Sequence, residues 1–272
     1  MTEALSSDNR WLAVSTLNPR ARLRLFCFPY SGAGPSIFRA WLRSLPADIE
    51  VCPVRLPGRE NRIDERPFTE MTSLVPATAN ALRSYLDRQF AFFGHSMGAL
   101  LSFELARYLR RVCGASPVQL FVSGHGAPQL RDDEPPRYAL PEAEFVAKLR
   151  ELHGTPDEVL DNLELRQLLL PILRADFEVC ETYVYEHDEP LDCPIAAFGG
   201  ADDAYVSRAH LEAWRPHTRA TFSTRLLPGD HFFLNSAPVQ LLRLIAADLA
   251  ETLNSVAVRR THEPAAALVP AA

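Results

Sequence analysis

Ser96 lies in Phe92-Phe93-Gly94-His95-Ser96-Met97-Gly98, a G-x-S-x-G run. An apolar segment, Gln89–Phe93, precedes it and a helix-forming segment, Ala99–Arg110, follows it. A serine hydroxyl attacks an acyl carbonyl only when a base takes its proton and a third group orients that base. A strand–turn–helix context presents such a serine at the tip of a tight, strained turn above a sheet. Glycine is needed on both sides because a Cβ there would strike the neighbouring strand and helix. A solvated serine in an ordinary glycine-rich turn needs neither flank, so the flanks carry this reading as much as the motif does.

The base and the acid follow from chain order, which in a hydrolase sheet is serine, then acid, then histidine. His95 is inside the turn and cannot reach back to Ser96, so packing or hydrogen bonding beneath the turn is its expected role. His125, His153 and His187 precede the best acid candidates, His210 and His217 fall in or beside a helical stretch, and His262 lies in the tail. His231 remains, in Leu227-Pro228-Gly229-Asp230-His231-Phe232-Phe233 after the strand-like run Thr221–Leu227. A loop at the carboxyl end of a strand is where such a base belongs. The acid is expected after the run Pro194–Phe198, in Gly199-Gly200-Ala201-Asp202-Asp203-Ala204-Tyr205-Val206. The spacing from Gly200 to Val206 favours Asp203, with Asp202 as the alternative; a strand-end aspartate is also an ordinary turn residue.

A tetrahedral oxyanion needs two backbone N–H donors, and losing one typically costs about 2.7–4 kcal/mol. Met97, the residue after the nucleophile, supplies the first. The second is expected from Pro29-Tyr30-Ser31-Gly32-Ala33-Gly34, which follows the buried strand Leu23–Phe28. Either Ser31 or Tyr30 fits, and Ser31 is favoured.

The elements that must hold these groups alternate along the chain. Strands are expected at Leu23–Phe28, Ile49–Val54, Gln89–Phe93, Val118–Val122, Pro194–Phe198 and Thr221–Leu227. Helices are expected at Ser36–Leu45, Met71–Arg88, Met97–Arg111, Ser207–Trp214 and Ala237–Leu253. Continuous apolar strands alternating with helices predict an α/β architecture with a mostly parallel sheet covered on both faces. The 272 residues, 47% of them hydrophobic, suffice for one such domain, expected over 1–260. The segment Gly126–Asp192 breaks the alternation, with helical patterns at Pro141–Leu152, Pro156–Leu160 and Asn162–Tyr185 and no good strand. The last pattern is apolar on nearly all faces, and Pro171 inside it is expected to kink or divide it. A lid with an inner face lining an acyl channel fits this segment; a purely structural subdomain is the plainer alternative. The Ala/Pro-rich end, Thr261–Ala272, is expected to be a disordered tail.

A net charge of −6 argues against a nucleic-acid partner. No run approaches the roughly 18 apolar residues of a membrane span, and Met1–Arg10 does not read as a secretory leader. Five cysteines, odd in number and in or next to apolar runs, fit buried reduced thiols in a cytoplasmic protein.

Phe26–Gly34 (FCFPYSGAG), Val54–Arg62 (VRLPGRENR), Phe92–Leu100 (FFGHSMGAL), Gly199–Asp203 (GGADD) and Leu227–Leu234 (LPGDHFFL) together resemble the type II thioesterases. These are the stand-alone editing hydrolases of polyketide and non-ribosomal peptide synthesis. The resemblance runs from about Leu23 to Leu253 in the family's order. It implies an α/β-hydrolase fold with a helical lid at about 126–192, and hydrolysis of acyl groups from the phosphopantetheine arm of acyl- or peptidyl-carrier proteins. It also implies Ser96 as nucleophile, Asp203 as acid, His231 as base and Met97 and Ser31 as oxyanion donors. Such a mechanism needs no metal or other cofactor, and a monomer is expected. Departures from the family pattern are Ser31 in place of a common alanine, Ala33 in place of a glycine, and Ala204 after Asp203 where proline is frequent. A carboxylesterase or a chain-terminating cyclase on the same fold is the alternative. Starting at Met1 with no carrier domain ahead is expected of a stand-alone enzyme. Arg55, Arg59, Arg62 and Arg66 follow a strand end on the site's side and suit an acidic carrier or the pantetheine phosphate. Glu60, Asp64 and Glu65 are interleaved with them, which suits a solvated mixed-charge loop better.

Overall fold

All six residues of Leu23–Phe28 are buried, as a strand covered on both faces requires. In the computed structural model, which describes residues 10–14, 17–130 and 135–262, this strand is β1. It is followed by β2 (Ile49–Pro53), α1 (Met71–Leu82), β3 (Gln89–His95), α2 (Met97–Cys113) and β4 (Leu120–Ser123). Then come α3 (Glu142–Leu152), α4 (Asp157–Asp161), α5 (Leu163–Glu181), β5 (Ile195–Gly200), α6 (Arg208–Glu212), β6 (Phe222–Leu227), α7 (Phe233–Ser236) and α8 (Pro238–His262). The strands form one sheet in the order β2-β1-β3-β4-β5-β6, and every pairing is parallel.

Side chains alternate across this sheet, as the two-residue strand period demands. Phe26, Phe28, Phe92, Val122 and Ala197 pack with Leu74, Leu101 and Leu105 of α1 and α2 on one face. Leu25, Cys27, Phe93, Phe121 and Phe198 pack with Phe38, Trp41, Leu241, Ile245 and Leu249 on the other. The α3–α5 segment carries a small core of its own, built on Phe145, Leu149, Leu160, Leu170 and Leu173.

Several element boundaries differ from the sequence expectation for local reasons. Residues Pro35–Arg43 form a 3-10 rather than an α-helix, and the buried Pro35, Phe38 and Trp41 recur at its period of three. The helix expected over Met71–Arg88 ends at Leu82, because the chain must turn for the Tyr85 carbonyl to accept from the buried Arg24 guanidinium at 2.7 Å. Arg24 also meets Glu50 at 2.9 Å and pairs with Asp87, which explains a charge in a strand buried along its whole length. The last helix, expected over Ala237–Leu253, starts at Pro238, a residue suited to a first turn, and continues to His262. α5 runs through Pro171 without being divided. Thr261 and His262 end α8, while 263–272 of the expected tail lie outside the described residues. Cysteine burial is mixed: Cys27, Cys52 and Cys193 are buried, Cys180 is half-buried, and Cys113 is exposed, contrary to expectation. Among the described residues no helix is long and apolar enough to cross a membrane.

Candidate active site

The order β2-β1-β3 reverses the direction of winding between β1 and β3, and the loops leaving such neighbours diverge to open a crevice at the carboxyl end of the sheet. The turn after β1 carries Tyr30 and Ser31, and the turn after β3 carries Ser96. Ser96 has φ 53 and ψ −119, a region that non-glycine residues rarely occupy and that functional sites hold under strain. A Cβ on Gly98 would come within 2.2 Å of the Phe28 carbonyl oxygen, and one on Gly94 within 2.0 Å of the Gly98 oxygen. The elbow therefore closes only with glycine at both positions. Its amide donates to the Ser123 carbonyl at 2.7 Å, tying the turn to β4.

The loops after β5 and β6 bring the carboxylate to the imidazole. His231 Nδ1 is 2.8 Å from Asp203 Oδ2. The other oxygen of Asp203 accepts from the amides of Tyr205 at 2.8 Å and Val206 at 3.0 Å. The Asp203 side chain has no exposed surface, while that of His231 is 17% exposed. Burial alone pushes the Asp203 carboxyl up, but His231 and the two amides outweigh it and hold the group below the usual carboxylate range. Asp202 is exposed, so the structure brings Asp203, and not its neighbour, to the imidazole.

Ser96 and His231 line one cavity of about 960 Å³, together with Tyr30, Ser31, Leu173 and Phe177. This is at the large end of small-molecule sites. Met97 is the first residue of α2, so its amide has no acceptor within the helix. The inner side of α5 forms one wall, while Leu163 and Leu168 near its start are exposed. Cys180, also in that wall, is no rival nucleophile: burial first, then Asp176 and Glu181, push its thiol up and keep it protonated. His125, Arg137, Tyr205 and His210 also border the cavity. Tyr205 comes with the acid segment, whereas no motif places His125, Arg137 or His210 at the site, because only the folded loops bring them there.

His95 is buried beneath the elbow with its Nδ1 2.9 Å from Ser123 Oγ, and its ring centroid is 5.2 Å from that of His231. Burial first, then His231, hold its pKa well below the imidazole norm. His217, 6% exposed, is likewise lowered by burial, to about 4. Both stay neutral in the fold while the unfolded chain takes up protons below about pH 6.5, so stability falls as pH falls. Each histidine contributes a slope approaching about 1.4 kcal/mol per pH unit, for His217 between pH 6.5 and its lowered value. Urea unfolding at pH 7 and pH 5 is expected to show this decline, and His217→Phe to make it shallower.

The arginine loop is not a solvated surface. Arg59 and Arg62 are buried, and only Arg66 of the four arginines is exposed. The Arg62 guanidinium donates to the Arg55 carbonyl at 2.9 Å, meets Glu65 and lies 4.5 Å over the Trp11 ring. Trp11 belongs to an N-terminal strap, with Leu12 bridged antiparallel to Val54. Arg62→Glu is therefore expected to cost about 3 kcal/mol of stability, the scale for a broken buried pair. Turnover of carrier-bound and free substrates should fall together; a selective loss on the carrier would return this side chain to a docking role.

The thioesterase domain family model matches residues 23–249. Linear gramicidin dehydrogenase LgrE of Brevibacillus parabrevis is 48% identical over 250 residues, covering 91% of this chain and 95% of that one. Among solved structures, the RedJ thioesterase of the prodiginine pathway in Streptomyces coelicolor is 44% identical with a TM-score of 0.78, covering 84% of this chain and 85% of that one. The type II thioesterase BorB of the borrelidin cluster is 34% identical with a TM-score of 0.81, covering 90% and 99%. With a strained serine, a carboxylate-paired histidine and a family match over all six strands, the chain belongs to the thioesterase domain family, on an α/β-hydrolase fold.

Proposed function

We propose that this chain is an editing thioesterase that clears acyl groups from phosphopantetheine arms of acyl- or peptidyl-carrier domains in a polyketide or non-ribosomal peptide pathway. Ser96 is the nucleophile, His231 the base and Asp203 the acid. One observation carries the assignment: a buried carboxylate 2.8 Å from the imidazole of His231, on a ring that shares its cavity with the strained Ser96. His231 Nε2 takes the Ser96 proton as Oγ attacks the thioester carbonyl, and the amides of Met97 and Ser31 receive the oxyanion. The pantetheine thiol leaves with the proton from His231, giving an acyl-Ser96 ester. Water, deprotonated by the same imidazole, then releases the carboxylic acid. Asp203 holds the Nδ1–H tautomer and stabilises the imidazolium.

The helices between β4 and β5 act as a lid whose α5 side walls the acyl channel, supported by Leu173 and Phe177 in the cavity lining. Likeness to BorB, a type II thioesterase, supports editing over the esterase alternative. All five cysteines are unpaired, which supports a reducing compartment such as the cytoplasm. The test is mass spectrometry of carrier proteins loaded with different acyl groups, incubated with wild type and Ser96→Ala. Loss of several short acyl groups with wild type alone is expected. Preference for oxygen esters, or cyclised product from one long chain, would overturn the reading.

A further inference from the structure

One face of α5 grips the turn that carries Ser31. That turn is closed by the Ala33 amide donating to the Tyr30 carbonyl at 3.0 Å, and Gly32 takes φ +78. Leu173, Asp176 and Cys180, at i, i+3 and i+7, share a helix face, and each touches the turn. A Cβ on Gly32 would come within 2.4 Å of Leu173 Cδ2, so Leu173 packs directly against a turn whose φ already favours glycine. The Cys180 thiol lies beside the Ser31 side chain, and both line the cavity. Between them, the Gly32 amide donates to Asp176 Oδ2 at 2.7 Å. Arg59 donates to both oxygens of the same carboxylate, at 3.0 and 2.8 Å, and to the Ala33 carbonyl at 3.2 Å. Asp176 and Arg59 are 2% and 4% exposed.

We infer that Asp176, held by Arg59, is a positioning residue for the oxyanion hole: its carboxylate anchors Gly32 and so fixes where the neighbouring Ser31 amide points. A buried ion pair is weak evidence for stability as such, since apolar replacements of similar volume are often as stable. Its geometry here has a more specific use. The bidentate pair fixes the carboxylate plane, and the carboxylate then presents one lone pair to a single amide beside the reacting carbonyl. An oxyanion donor displaced by an ångström loses most of its value, on the order of 100-fold in rate. The same contacts mean that the part of α5 after Pro171 cannot swing away without dragging the Ser31 turn with it. Lid opening is thereby left to α3, α4 and the start of α5, where Leu163 and Leu168 are exposed.

The inference rests on the assignment of Ser31 under Proposed function, and two double variants separate them. Arg59→Met with Asp176→Leu removes both charges and the Gly32 acceptor. Arg59→Met with Asp176→Asn removes both charges but keeps an oxygen for the Gly32 amide. With a short acyl N-acetylcysteamine thioester, the leucine form is expected to lose about 30- to 100-fold in kcat at nearly unchanged KM. The asparagine form is expected to recover most of that loss at a similar melting temperature. Equal kcat in two folded variants would overturn the inference and leave the nucleophile untouched. Wild type unable to hydrolyse the thioester, or unlabelled at Ser96 by a fluorophosphonate, would instead sink the underlying reading. If either variant fails to melt cooperatively, hydrogen exchange on wild type decides. A Gly32 amide as slow as the amides of α5 supports the anchor, and free exchange there overturns it.

Discussion

Ser96→Ala is expected to lower thioester turnover by about 10⁴-fold or more, with the melting temperature unchanged. The two halves of that expectation have separate causes. In the proposed mechanism the hydroxyl oxygen bonds to the acyl carbon, so without it only direct attack by water remains. The fold should not notice, because the Ser96 side chain makes no capping bond to α2 and alanine bears the same positive φ at the same strain. A fluorophosphonate probe should label wild type at Ser96 and leave the variant unlabelled. A folded variant that retained more than about one per cent of turnover would move the nucleophile elsewhere in the cavity.

The second large effect separates two adjacent carboxylates. Asp203→Asn should reduce kcat by about 10⁴-fold, as expected when the orienting acid becomes an amide. Asparagine fits the space and can still accept from the Tyr205 and Val206 amides. It presents an N–H donor to His231 Nδ1, however, and so drives the ring proton to the nitrogen that should accept from Ser96. Asp202→Asn should stay within about twofold, since its side chain is exposed. The pH profile adds a check on the sign. Asp203 is held below the usual carboxylate range, so it remains ionised as the acid limb is crossed. A damaging Asp202→Asn beside a silent Asp203→Asn would exchange their roles.

The elbow was legible because nearly every requirement on it is local. Glycine spacing, an apolar strand and a helix lie within a score of residues, and the backbone clash that enforces Gly94 is with Gly98 of the same turn, although the one that enforces Gly98 is with Phe28 on the adjacent strand. The β1 bounds agree with the sequence reading for the same reason: an unbroken apolar run has few other places to go. The loop histidine and aspartate could be ranked from strand order alone, although the choice between Asp202 and Asp203 waited on which side chain turned inward.

The arginines show where such reading stops. In the sequence Arg59 and Arg62 sit among acids and prolines and look like a wet, mixed-charge loop; in the fold they are nearly inaccessible. The partner that makes this tolerable for Arg59 is Asp176, 117 positions away on α5. For Arg62 part of the cover is Trp11, in a strap that precedes the first strand. Burying a charge is unfavourable by itself and becomes acceptable only when a counter-charge and hydrogen bonds arrive together. Composition and periodicity record neither event. Thus the turn that carries Ser96 and the parallel strands were determined by short-range pattern, whereas the anchoring of the Ser31 turn was decided by pairing across the fold, where long-range geometry sets which charges can be dry.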